Sequence, residues 1–240
     1  MSSIRRQIRN LPLPVSWLHP SHARKAIYRA VALADSSSPV AVAAAAYLDG
    51  EAAVVLMADS WGGKSTLAAH APLCGYRLVH DGLLWLHRDG QISGDGGPVC
   101  LRSGGWQVFS GNLESLDNHL PGITLYPFRG GKLVHFEPRL RSLAPVPVQA
   151  VILLVRQERE TDPEFMYLTR AAMLAHVLRI LKTRNGRGSD RVLLDRVLRM
   201  INGARLLGVL SYRQPMDALR ELHERLVAPD APREAEGQSG

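Results

Sequence analysis

One segment constrains this chain more than any other: Val54-Val55-Leu56-Met57-Ala58-Asp59-Ser60-Trp61-Gly62-Gly63-Lys64-Ser65-Thr66-Leu67. Its apolar start predicts a buried strand, and its end predicts a helix. Between them, two glycines let backbone N–H groups turn toward an anion. Lys64 brings a point charge for terminal phosphates, Ser65 brings a hydroxyl for magnesium, and the helix aims its positive end at the same place. The chain holds four lysines against twenty-five arginines, which makes a lysine at this position informative. Ala58 departs from the general pattern G-x-x-x-x-G-K-[ST], which begins with glycine. A chance Gly-Lys-Ser in a surface turn would not need the apolar strand ahead of it. The segment predicts a nucleoside triphosphate site, for ATP or alternatively GTP. Asp59, Ser60, Trp61, Gly62, Gly63, Lys64, Ser65 and Thr66 are its candidate contacts.

Phosphoryl chemistry also needs a carboxylate for the metal, at the end of a neighbouring strand. Tyr76-Arg77-Leu78-Val79-His80 reads as that strand, and Asp81 closes it seventeen residues after Lys64. Ser65 and Asp81 are therefore the candidate Mg2+ ligands, and Lys64 and Asp81 the leading catalytic candidates. The plain alternative for Asp81 is a solvated Asp-Gly turn. His80 is a candidate base, although regular alternation sends it to the face opposite Asp81, where a histidine simply packs. His87 is a further candidate if the fold brings it close.

The remaining pattern fills out an α/β chain. Residues 1–20 are basic and punctuated by Pro12, Pro14 and Pro20, which predicts an arm; residues 21–35 have helical spacing. Val40 to Leu48 and Glu51 to Met57 flank Asp49-Gly50, a hairpin turn. Pro72 ends the helix that begins at Thr66. Leu83 to His87 and Gln91 to Ser93 predict a second hairpin. Residues 94–131 are glycine-rich with little periodicity, apart from strand-like pieces such as Trp106 to Phe109. Strands are expected at Lys132 to Phe136, at Ala150 to Val155 and at Arg205 to Tyr212. Helices are expected over Pro163 to Lys182, from a Ser189-Asp190 cap to Ile201, and over Pro215 to Val227. Residues 228–240 lack core-forming side chains and predict a disordered tail. The length allows one domain, residues 21–227, between the arm and the tail.

The segment 58–65, taken with Gly75-Tyr76-Arg77-Leu78-Val79-His80-Asp81, resembles the bacterial HPr serine kinase/phosphorylase family. That family pairs G-x-S-G-x-G-K-S with G-[HY]-R-L-V-x-D-D at this spacing. The resemblance is good over roughly residues 40–90 and weaker through Lys132 to Val155. It implies a P-loop fold related to phosphoenolpyruvate carboxykinase, a mixed sheet with C-terminal helices, and a homo-oligomer. It also implies phosphoryl transfer to a serine or threonine hydroxyl of a small protein or ribosomally made precursor peptide, including lasso-peptide precursors. At 240 residues, the chain is placed with the family's short relatives. Two departures stand out. Gly82 replaces the second acidic residue, and the alanine run Ala43 to Ala46 stands where the family kinases carry a histidine. A second function class follows from them, a nucleotide-binding regulator or scaffold without transfer activity.

Charge and composition narrow the partners. The formal net charge is +7, and two isolated cysteines, Cys74 and Cys100, suit a reducing, cytoplasmic compartment rather than a disulfide or zinc framework. The longest apolar run near the N-terminus is too short to cross a membrane. Arg129 and Lys132, around Gly130-Gly131, are candidate contacts for the transferred phosphate or an acidic substrate; a hairpin turn with exposed charges is the alternative. Arg179, Lys182, Arg184, Arg187, Arg191, Arg196, Arg199 and Arg205 form a basic stretch. Interrupting aspartates and missing aromatic partners rank a solvated face first, an acidic protein partner second and nucleic acid third.

Overall fold

The apolar run ahead of the glycines forms a strand covered on both faces. The structure is a computed structural model that describes residues 9–10, 39–59, 61–94, 96–115, 122–128, 130–157, 162–185 and 190–228. Most of the expected arm, the helix over 21–35 and the tail from residue 229 lie outside these residues, as do Ser60 and Arg129.

Along the chain the strands are β1 (Arg9–Asn10), β2 (Val40–Val42), β3 (Ala45–Asp49), β4 (Ala52–Met57), β5 (Arg77–Asp81), β6 (Leu84–Leu86) and β7 (Ile92–Ser93). They continue with β8 (Val99–Arg102), β9 (Ile123–Phe128), β10 (Gly131–Phe136), β11 (Val148–Arg156), β12 (Glu164–Tyr167) and β13 (Leu206–Tyr212). The helices are α1 (Lys64–His70), α2 (Ser103–Ser115), α3 (Arg170–Asn185), α4 (Asp190–Gly203) and α5 (Pro215–Val227). A 3-10 turn, Ala71–Cys74, follows α1.

The main sheet is mixed and runs β12-β13-β11-β4-β3-β5. Its middle, β13, β11 and β4, is parallel, while β12 and β3 run antiparallel to their neighbours. Parallel strands buried on both faces read as unbroken apolar runs, which is the character of Val54 to Met57 and Ala150 to Leu154. On one face, Tyr47, Leu56, Ile152 and Tyr212 pack with α1, α2 and α5 and with a second sheet, β1-β9-β10-β8. On the other, Ala46, Val55, Met57 and Val151 pack with α3, α4 and a small sheet, β2-β6-β7.

Several expectations are corrected. The β3–β4 turn is Gly50-Glu51, one residue later than expected, because Asp49 pairs with Ala52; Gly50 supplies the positive φ of +67° that a glycine-first hairpin turn needs. The run 40–48 is two strands in different sheets. Trp106 to Phe109 lies in helix α2. The helix expected from Pro163 begins at Arg170, where the Ala172 N–H donates to Thr169 Oγ1 at 3.2 Å as at a capped N-terminus; residues 164–167 are an edge strand instead.

One irregularity decides how the site is built. Along β5, His80 pairs with Ala46 but Leu78 pairs with Tyr47, so Val79 is an extra residue. Paired residues share a face. Leu78 therefore lies with Tyr47 on the α1 face, and Val79 packs in the opposite core. His80, opposite Ala46, also falls on that second face, and Asp81, opposite Ala45, returns to the α1 face. Strict alternation from Leu78 would send Asp81 the other way. The outer side of β5 is tied down as well: the Ser142 N–H donates to Leu78 O at 2.8 Å. Buried Arg141 donates to Gly97 O at 2.8 Å and to Gly96 O.

Gly94 lies against the bulge, where a Cβ would meet Val79 O at 2.3 Å and His80 Cβ at 2.7 Å. Gly94→Ala is expected to cost about 1–3 kcal/mol, read as a lower urea midpoint. Gly111→Ala, in α2 with nothing within 4 Å of the new methyl, is expected to be neutral or to stabilise by up to ~1 kcal/mol.

Candidate functional site

The site is assembled where β4 ends and α1 begins. Met57 and Ala58 leave the sheet buried, and the chain turns through Asp59 to Gly63 before α1 starts at Lys64. The Lys64 ammonium donates to Ala58 O at 2.8 Å and Asp59 O at 3.1 Å, so the lysine spans the loop it belongs to. Gly62 N–H also donates to Asp59 O, at 3.2 Å.

Glycine is required at two places here. A Cβ on Gly62 would lie 2.4 Å from the Ala58 methyl, so alanine at position 58 makes glycine at 62 necessary. Gly63 has φ +84°, and its Cβ would lie 2.2 Å from the Tyr212 hydroxyl. That hydroxyl donates to Gly63 O at 3.1 Å and is buried, which pushes its pKa up and keeps it a donor. Tyr212 ends β13, so the root of the loop is fastened to the far half of the main sheet.

Ser65 and Asp81 meet, as the spacing suggested. The Ser65 hydroxyl donates to Asp81 Oδ1 at 2.9 Å, and Asp81 is 3% exposed. Its Oδ2 is buried with no hydrogen-bond partner among the described residues. One hydrogen bond to a charged group is worth about 1.5–3 kcal/mol, while burying a carboxylate costs several. Ser65 alone does not offset that burial. A buried carboxylate with an unspent oxygen beside a hydroxyl suits a small divalent cation, with remaining ligands drawn from water or phosphate oxygens. Among the described residues no cluster of three or more His, Cys, Asp or Glu side chains offers a complete protein cage.

The other candidates distribute differently. His80 is buried on the face opposite Asp81, as alternation at these two residues implied. His87 lies in the β6–β7 hairpin, its Nε2 2.9 Å from Ser93 Oγ. Thr66 is buried, with its Oγ1 facing Gly105 of α2. Lys132 sits near the start of β10, paired with Leu101 and Pro127. In the basic stretch, Arg196 is buried and donates to Leu86 O at 3.1 Å, and Arg199 pairs with Asp195 at 3.0 Å. Arg205 donates to Leu226 O. These three serve the fold.

Two features of the loop escaped the sequence. Trp61 has φ +73°, a left-handed conformation that costs a bulky residue about 1–3 kcal/mol. It stands at the fourth place of G-x-S-G-x-G-K-S, where the pattern has glycine, which is the signal that could have revealed it. Arg102, at the end of β8, lies over its ring, with Cζ 4.0 Å from the centroid.

His70 anchors α1 from below. Its Nδ1 is 2.6 Å from Thr66 O and its Nε2 2.9 Å from the Asn112 amide, so the neutral ring donates to one and accepts from the other. Burial lowers its pKa, and burial followed by the Arg141 charge lowers that of His135. A histidine held neutral in the fold takes up its proton more readily when unfolded, so its contribution is complete above about pH 6.5 and declines as pH falls below it. Urea midpoints are therefore expected to drop between about pH 7 and 5, and His70→Gln is expected to flatten part of that slope.

A scan against protein-family models returns no match, and a search of curated proteins returns none, so the chemistry of the site is read from its own residues.

Proposed function

We propose that this chain is an ATP-dependent kinase with a P-loop fold of the HPr serine kinase and phosphoenolpyruvate carboxykinase type. Its acceptor is a serine or threonine hydroxyl of a small protein or ribosomally made peptide. The observation that carries the reading is the Ser65–Asp81 hydrogen bond at 2.9 Å, with the second Asp81 oxygen unspent. A loop serine joined to a strand-terminal carboxylate is the pairing that phosphoryl transfer uses to hold magnesium.

In this reading Lys64 leaves its two loop carbonyls for the β- and γ-phosphates, and the backbone of residues 60–65 wraps them. Ser65 and Asp81 hold Mg2+, which neutralises phosphate charge when bound. Tyr212 keeps the root of the loop in shape through Gly63. Most of the acceleration comes from positioning and fixed charge. His80 faces away and His87 is engaged with Ser93, so neither histidine takes the acceptor proton in this reading.

The alternative, a nucleotide-binding regulator without transfer activity, is favoured by Gly82. It follows Asp81 directly, at φ +96°, where the family pattern has its second carboxylate. Both readings require nucleotide binding, and only one requires transfer.

Candidate acceptor peptides encoded nearby, incubated with Mg·ATP and followed by intact mass, are expected to gain one phosphoryl group. Lys64→Ala is expected to slow this by roughly 10²–10³-fold. Mg·ATP at about 100 times its Kd should stabilise the wild type by ~2.7 kcal/mol, and Ser65→Ala or Asp81→Asn should remove the magnesium-dependent part. Stabilisation without mass gain for any acceptor would select the regulator.

A further inference from the structure

Trp61 is 74% exposed at the tip of the loop and held in a backbone conformation that glycine would adopt without strain. A bulky apolar ring there is unfavourable twice over, by exposure and by backbone. What offsets this is Arg102, whose Cζ lies over the ring 4.0 Å from its centroid. Among the described residues that ring is the one partner of the Arg102 side chain, which is exposed and whose N–H donors make no hydrogen bond or ion pair. A guanidinium held over an aromatic face by cation–π attraction uses none of its N–H donors in that contact, which leaves them for an oxyanion.

The backbone on either side of the arginine is also placed beside the loop. Arg102 is paired across the second sheet with Gly131, and the chain passes directly from it into α2. In the first turn of that helix Gly105 comes so close to α1 that a Cβ would lie 2.8 Å from Thr66 Oγ1. The stack and this approach, from two ends of the same short segment, bring a cation with unspent donors to the loop that carries Lys64 and Ser65.

We propose that Arg102 takes an oxyanion of the bound substrate at the mouth of this loop, and that Trp61 is the positioning residue that holds its guanidinium there. The inference rests on the kinase reading above and names a contact of the same site. Two sources present the required chemistry. One is a terminal phosphate of the nucleotide, and the other is a carboxylate flanking the acceptor hydroxyl; both accept a forked pair of charge-assisted hydrogen bonds.

The test uses the full chain, with calorimetric titration of Mg·ATP and of inorganic tripolyphosphate. Transfer is assayed to a short serine peptide flanked by aspartates and to its asparagine-flanked counterpart. If the oxyanion is a phosphate, Arg102→Ala weakens both ATP and tripolyphosphate by about tenfold or more. If it is a carboxylate, those affinities hold and KM rises by a similar factor for the aspartate peptide alone. Arg102→Lys recovers only part of the loss, because an ammonium lacks the fork. Trp61→Gly should raise the thermal midpoint while reproducing the Arg102→Ala defect, and Trp61→Phe, which keeps an aromatic face, should restore function. A purely structural tryptophan would not separate stability from binding in this way. Unchanged affinities and KM in both Arg102→Ala and Trp61→Gly overturn the proposal. Lys64→Ala, run alongside, keeps the two readings apart. Loss in Lys64→Ala without loss in Arg102→Ala sinks the arginine and leaves the nucleotide reading standing, whereas loss in Arg102→Ala alone keeps the arginine and removes Lys64 from the phosphate contacts. A wild-type chain that binds neither polyphosphate and modifies neither peptide overturns both.

Discussion

Ser65 reaches Asp81 across a strand that carries neither of them. Strand β3 lies between β4, which feeds the loop, and β5, which ends in the carboxylate. Ala45 of β3 is paired with Leu56 on one side and Asp81 on the other. The two outer strands are therefore about 10 Å apart at this level, two strand spacings. The loop closes that gap by carrying the chain over the end of β3, so that the first turn of α1 hangs above Asp81. A small residue makes this possible. Ala45, which packs on the α1 face between Leu56 and Asp81, is fully buried and leaves room for the overlying turn.

The two ends of the loop are treated differently. Its root is pinned, with Gly63 O accepting from both Tyr212 Oη and the Leu67 N–H, the latter at 2.9 Å. Its tip carries Trp61 out into solvent against Arg102. The support beneath is stiff as well. His70 ties α1 to α2 through Asn112, and Gly105 lets the two helices approach closely. Lys64 and Ser65 thus stand on a tied-down base, while Trp61 at the tip is exposed and meets Arg102.

The loop was legible in the sequence because its chemistry is local: strand, glycines, lysine and serine follow one another within fourteen residues. The long parallel strands were legible for a related reason, since double-sided burial removes polar residues from them. What escaped depends on contacts distant in sequence. The strand β8 and helix α2 sit in a glycine-rich stretch whose glycines, such as Gly105 and Gly131, answer to neighbours rather than to a local turn. Residues 164–167 share apolar content with the helix that follows, and only the Thr169 cap divides them. The left-handed backbone at Trp61 is marked only by the glycine that the pattern G-x-S-G-x-G-K-S has at that place, and the place of Arg102 depends on a contact some forty residues away in sequence.

The extra residue at Val79 also bears on how this strand can change length. With five residues between Arg77 and Asp81 inclusive, Val79 and His80 share one side and the carboxylate keeps the other. Losing one of that pair would heal the bulge and leave Asp81 beneath Ser65. Keeping both while the pairing became regular would exchange the two, with a histidine under the loop and a carboxylate in an apolar core, at the cost of several kcal/mol that such burial carries. The tolerance of this strand to insertion and deletion is therefore a matter of parity, and a single-codon loss is gentler here than a tidier ladder.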